Sequence, residues 1–262
     1  MTSTSRAVPG APVVYGVHGG VATIELNRPE SSNALDLPLA GALLAALDAA
    51  AADDGVRVVL LLGRGRLFCG GGDVAAMAAA RDRGAFLREL ADAAHQVVRR
   101  LDVLEKPVVA GVQGAAAGAG LALTLSADLV IAGESATFLT AYTAIGLTPD
   151  CGTSWLLPRA VGLGRALDLV LTGRRLSAAE AVELGIAART CPDAEVPAVA
   201  RAVAERLASG PAYALGQSRR LLRSAQSSTL DEHLDREAAA IAAAGATDEA
   251  AALVDAFVEG RR

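Results

Sequence analysis

The first strong pattern along the chain is an alternation. In "VVYGVHGGVATIEL" apolar positions recur every second residue on both sides of Gly19-Gly20, which predicts two strands joined by a tight primed turn. From Leu37 to Ala52 the spacing becomes helical, Val56 to Leu62 reads as a buried strand, and "GRGRLFCGGGD" is a glycine-rich loop leading to a short helix from about Asp73. The unit recurs: Val108 to Val112 reads as a strand, "QGAAAGAG" as a loop, Leu121 to Ser126 as a helix and Leu129 to Ala132 as a further strand. Between the two units lies a long amphipathic helix, Gly84 to Leu104, ended by the proline of "EKPVV". Successive strand, loop and helix units predict a layered α/β core.

Past Asp150 the pattern is mainly helical. "LSAAEAVELG" opens with Ser177 and Glu180 in capping-box spacing and closes on Gly185. Val196 to Ser209, Ala212 to Ser224, Leu230 to Ala244 and Asp248 to Val258 then read as consecutive helices. No long linker separates them from the core, so this tail is expected to dock on the core or on a neighbouring copy. The expected division is a core over residues 1–205 and a helical region over 206–262.

Composition narrows the function classes. With 52% hydrophobic residues, the 262-residue chain can bury a sizeable core. The net charge of −5 is interspersed rather than blocked, so no basic stripe is available to follow a nucleic-acid backbone. The start "MTSTSRAVPG" has no apolar core of a signal peptide, and the most apolar stretch, Gly114 to Ala132, is broken by Ser126 and Asp128. Neither a membrane span nor export is expected. Cys69, Cys151 and Cys191 are an odd set without metal-ligand spacing, which implies neither a disulfide framework nor a metal site and fits a reducing cytoplasm.

Candidate chemistry sits on two loops and one carboxylate. Phe68 to Asp73 and Gly114 to Gly120 each follow a strand and run into a helix, so each can present backbone N–H groups to an anion. Neither matches GxxxxGK[ST] or a GxGxxG dinucleotide fingerprint, and tight packing alone would also use such glycines. Asp150, in "IGLTPDCGTSWLLPR", lies between apolar runs. It is either the N-cap of a helix beginning near Gly152 or a working acid/base.

Six segments, "ELNRPESSNAL", "LFCGGGDV", "EKPVVAGVQGAAAGAGLAL", "SADLVIAGESATF", "IGLTPDCGTSWLLPRAVG" and "LTGRRLSAAEAVELGIA", resemble in order the signature segments of the crotonase superfamily, the enoyl-CoA hydratase/isomerase family. The resemblance covers about residues 13–260 and implies a crotonase-like spiral of ββα units with a C-terminal helical trimerisation region. It also implies a homotrimer or dimer of trimers, an acyl-CoA substrate with coenzyme A as its carrier, and no tightly bound cofactor or metal. The family holds an enolate oxygen with two backbone N–H groups, which the match carries to Cys69 and Ala119. Contacts to the coenzyme carry over to Arg28, Ala34, Leu67, Gly71 and Asp73, although Arg28 could equally be a solvated surface charge.

The chain departs from a hydratase where a hydratase needs two glutamates. Those positions fall on Ala122 and Tyr142; alanine carries no proton and tyrosine rarely ionises near neutrality. The family's other carboxylate position falls on Asp150, in a segment similar to the epoxyphenylacetyl-CoA isomerase-like subgroup. This favours double-bond or ring isomerisation with Asp150 as acid/base. Alternatives are a hydratase, a non-catalytic acyl-CoA-binding protein, and an aryl-CoA dehalogenase-like hydrolase in which Asp150 attacks the ring and His95, at a matching "HQ", activates water. Tyr142 is expected as a pocket wall or orienting hydroxyl, and Trp155 as core. Gly245 stands where members often carry an aromatic near the adenine.

Overall fold

The computed structural model describes residues 10–260; residues 1–9, part of the start read above for an export signal, lie outside them. The chain opens with the expected hairpin. β1 (Val13–His18) pairs antiparallel with β2 (Val21–Leu26), and Gly19 and Gly20 turn between them at φ of +56° and +79°. A primed turn needs positive φ at both central residues, which glycine supplies without a Cβ clash. α1 (Leu37–Ala52) follows, started by Asp36, whose carboxylate accepts the Leu39 N–H at 2.8 Å.

β3 (Val58–Gly63), α2 (Val74–Ala79) and α3 (Arg83–Val103) complete the first unit. β4 (Val108–Val112), β5 (Ala115–Ala117), α4 (Ala119–Ser126), β6 (Leu129–Gly133) and β7 (Thr137–Leu139) make the second. Then come α5 (Thr153–Val161), α6 (Leu163–Thr172), β8 (Leu176–Ser177), α7 (Ala178–Glu183) and β9 (Arg189–Cys191). Four helices end the chain: α8 (Val196–Ala208), α9 (Ala212–Ser224), α10 (Leu230–Gly245) and α11 (Asp248–Val258).

The strands form a six-stranded sheet of order β1-β2-β3-β4-β6-β9, parallel beyond the hairpin, and a small sheet β5-β7-β8. Four short strands were not expected: β7, β8, β9, and β5, which lies inside the glycine-rich "QGAAAGAG" and pairs with β7. Three alanines are too short a run to show any period, so only the partner strand reveals them.

β3 is buried on both faces because helices cover both. Val59 and Leu61 pack toward α1, α3 and α4, while Val58, Leu60 and Leu62 pack toward α8 through Val196, Ala200 and Val203. Each such side chain contributes about 1.5–3 kcal/mol by leaving water. The boundary expected at 205/206 is corrected here, since it cuts through α8, a single helix that belongs to the core. Trp155 is corrected as well: it is 57% exposed, with the Arg159 guanidinium stacked on its ring, because α5 turns that face outward.

The tail docks through charge. Arg219 of α9 is buried and donates to the carbonyls of Leu101, Asp102 and Leu104, the otherwise unpaired end of α3, and to the Asp128 carboxylate at 2.6 Å. Arg223 pairs with the other Asp128 oxygen at 2.7 Å, and the Val108 N–H completes the knot at 2.7 Å. By contrast α10 and α11 bury no residue and expose Leu230, Ile241 and Val254. No helix among the described residues is long and apolar enough to cross a membrane.

Arg219→Met should cost about 1–3 kcal/mol, because it leaves the carbonyls at the end of α3 without their buried donor, while Asp128 keeps Arg223 and the Val108 N–H. Chemical denaturation of the two proteins side by side measures this.

Candidate active site

The two glycine-rich loops meet backbone to backbone. Phe68 N–H donates to the Gln113 carbonyl at 2.9 Å, Cys69 N–H to Ala115 at 3.1 Å, and Ala117 N–H returns to Cys69 at 3.0 Å. At Gly120 an added Cβ would lie 2.3 Å from the Cys69 carbonyl oxygen, so only glycine admits this approach. Asn33 fixes the first loop from behind. It is fully buried at φ +52°, its Nδ2 donates to the carbonyls of Arg64, Leu67 and Phe68 at 2.9, 2.9 and 3.1 Å, and its Oδ1 accepts the Arg28 N–H.

This ladder corrects one expected donor. The Cys69 N–H is spent on Ala115 and cannot face a ligand, and burial pushes its thiol up to about 11. The loop leaves the ladder only at Gly71, φ +110°. From there Gly72 lines the cavity described below, and its N–H meets no acceptor among the described residues. Ala119 on the second loop opens α4 and lines the same cavity, and its N–H likewise meets no acceptor among the described residues.

Between the loops and α3 lies a cavity of about 410 Å³. Its walls are largely aliphatic, with Val74 and Met77 from α2 and Leu87, Leu90, Ala91 and Ala94 from α3. Asp150 and Arg88 are the only charged side chains that line it among the described residues, and Arg88 is bound outward to Asp92 at 2.8 Å.

Asp150 is half-buried and does not cap α5. That helix begins at Thr153 with Gly152 as N-cap and no side-chain bond, so the carboxylate sits two residues too early to reach the free N–H groups. Between them Cys151 and Gly152 both take left-handed backbone, φ +50° and +74°. A non-glycine residue there is held at a cost that the surroundings must offset, a pattern concentrated at functional sites. The buried Cys151 thiol is pushed up by burial and then by the neighbouring Asp150 charge.

Tyr142 also lines the cavity. Its hydroxyl donates to the Asp150 carbonyl at 3.4 Å and meets the Thr153 hydroxyl at 3.2 Å. Burial, with the Cys151 and Asp150 charges behind it, drives its acidity down, so it keeps its proton. Ala122 lies fully buried behind the cavity, beside an apolar cleft of about 10 Å³.

The remaining expected residues fall at the rim or away from it. His95 is half-buried but does not line the cavity: it follows Ala94 by one residue, which turns it about 100° around α3. Arg28 is neither solvated nor free, for it pairs with Asp36 at 3.0 Å and Asp73 at 3.1 Å and donates to the Ala34 carbonyl at 2.6 Å. Asp73 caps α2 through the Ala76 N–H at 3.0 Å, and that bond first, with Arg28 behind it, holds its carboxyl below the ordinary range. Leu67 packs beneath Gly114 and offers its carbonyl to Asn33. Of the five expected coenzyme contacts only Gly71 lines the cavity; Arg28, Ala34, Leu67 and Asp73 build the wall behind it.

Sequence reasoning missed Gly72, Asn33 and Thr153. Gly72 had a usable signal, since it closes the glycine run immediately before the Asp73 N-cap. Asn33 and Thr153 had none, because their partners lie on loops joined only by the fold.

The family pattern described as enoyl-CoA hydratase/isomerase matches residues 16–262 of this chain. The chain belongs to that family. The 1,2-epoxyphenylacetyl-CoA isomerase of Escherichia coli K12 is 40% identical over 230 residues, 86% of this chain and 87% of that protein. A Rhodobacter capsulatus protein named as an enoyl-CoA hydratase is 38% identical over 248 residues, 94% of this chain and 95% of its own. The crystal structure of an enoyl-CoA hydratase/isomerase from Mycobacterium abscessus superposes with a TM-score of 0.91 at 41% identity, over 95% of this chain and 96% of that one. The layered core and C-terminal helices are therefore those of the crotonase superfamily.

Asp73→Ala should lower stability by about 1 kcal/mol through the lost cap. The folded carboxyl is depressed, so its contribution is full above the ordinary aspartate range and is lost as pH falls through the lower folded value. Denaturation midpoints of wild type and variant should differ at neutral pH and converge in acid.

Proposed function

We propose that the protein moves a double bond within an acyl-CoA thioester, with Asp150 as the acid/base and the N–H groups of Gly72 and Ala119 as the oxyanion donors. One observation carries this reading: a single half-buried carboxylate shares an aliphatic cavity with two N–H groups that have no acceptor among the described residues. Asp150 takes a proton from Cα of a 3-enoyl thioester, negative charge moves to the thioester oxygen between Gly72 and Ala119, and Asp150 returns the proton at Cγ. Each donor in such a water-poor site is worth about 2.7–4 kcal/mol at the developing oxyanion.

Adding water calls for a second group that can hold and move a proton, and here the buried Ala122 offers none while Tyr142 keeps its own. Dehalogenation calls for a water-activating base, and His95 is turned away from the cavity. Coenzyme A enters this reading as the substrate's carrier, held near Gly71 rather than by the Arg28 guanidinium, which two carboxylates occupy. Assembly into trimers, or dimers of trimers, would use the exposed apolar residues of α10 and α11.

The test is a paired assay of the conjugated-enoyl absorbance with 3-hexenoyl-CoA and crotonyl-CoA. The expected result is a rise with the first substrate, little loss with the second, and a fall of at least about 10²-fold in Asp150→Asn. Fast loss of crotonyl-CoA absorbance, or full turnover by the variant, would overturn the proposal.

A further inference from the structure

The Asp150 turn carries more hydrogen bonds than its loop needs for a chain reversal. Its carbonyl oxygen receives the Thr153 N–H at 2.9 Å and the Tyr142 hydroxyl at 3.4 Å, which fills both lone pairs. With the Tyr142 proton so committed, the Thr153 hydroxyl donates to the Tyr142 oxygen at 3.2 Å, and the cycle closes. Thr153 is fully buried and Tyr142 nearly so. The segment they grip, Cys151-Gly152, is the left-handed pair that would otherwise relax.

Tyr142 also reaches the oxyanion side. A Cβ at Gly118 would stand 3.8 Å from Tyr142 Cζ, so the ring lies against the residue that precedes Ala119. The ring's own approach is fixed in turn by Ala141 at φ +61° and by the Thr140 hydroxyl on the Leu169 carbonyl at 3.3 Å. One side chain therefore touches both halves of the site.

We infer that Tyr142 and Thr153 are a positioning pair, which sets the Asp150 carboxylate relative to the Ala119 N–H by gripping the backbone of residues 150–152 and bearing on Gly118. The inference rests on the reading of Asp150 as the acid/base. Neither hydroxyl touches the reacting atoms: Tyr142 acts through the Asp150 carbonyl, and Thr153 acts through Tyr142. Tyr142→Phe keeps the aromatic ring's contact with Gly118 and removes only the hydroxyl clamp.

The experiment compares wild type with Tyr142→Phe, Thr153→Val, Thr153→Ser and the Phe/Val double variant of the full chain. Amide hydrogen exchange over residues 150–153 should quicken about tenfold in Tyr142→Phe and Thr153→Val, stay near wild type in Thr153→Ser, and be unchanged elsewhere. For 3-hexenoyl-CoA, kcat should fall about tenfold in the first two with KM within twofold, recover in Thr153→Ser, and fall no further in the double variant. Unchanged exchange overturns the clamp, with or without turnover. Quickened exchange with unchanged kcat, while Asp150→Asn is silent, overturns positioning and leaves the proposed reaction standing. A wild type with no isomerase activity overturns the reaction, and the positioning role with it.

Discussion

The short ladder between residues 68–69 and 115–117 is the constraint on which the site depends. It brings two chain reversals, separated by almost fifty residues of sequence, to backbone contact, and it does so with groups every residue possesses. What selects the sequence is space: Gly120 must pass the Cys69 carbonyl, and Gly71 must turn at positive φ to leave the ladder. The N–H groups left over are the ones the ladder does not consume. The proposed oxyanion site is defined by subtraction, as a pair of donors that the neighbouring ladder leaves without an acceptor among the described residues.

Charge in the same region is spent on shape. Arg28 joins Asp36, the cap of α1, to Asp73, the cap of α2, and its guanidinium also holds the Ala34 carbonyl. The starts of two helices and the loop between them are thus tied to one side chain. The cavity wall they support is aliphatic, which suits an acyl chain and leaves the single carboxylate with little competition for a proton.

Much of this architecture is legible in the sequence. The hairpin, α1, α9 and α11 follow from period and punctuation, and their bounds agree closely because Gly19-Gly20, Asp36, Pro211 and Thr247 mark them chemically. Asp150 stood out because a carboxylate between apolar runs demands a reason. What could not be read was partnership. Cys69 reads as an oxyanion donor only by resemblance, and the fold gives its N–H to Ala115; His95 reads as a secondary candidate by the same route, and helix phase turns it from the cavity. Arg28 looked like a coenzyme contact or a surface charge, yet it lies between two carboxylates brought there by separate helices. Hydrogen-bond accounting and helix rotation are tertiary facts, and a linear pattern does not contain them.

The Asp128 knot has a bearing on how the chain assembles. Its partners are Val108, twenty residues upstream, and Arg219 and Arg223, more than ninety residues downstream. Closing so long a loop costs entropy that no local contact returns, so the docking of α9 depends on a seat built by β4, β6 and the end of α3. α9 therefore works as a latch, since Arg219 and Arg223 fasten the end of α3 to the start of β6 from the far end of the sequence.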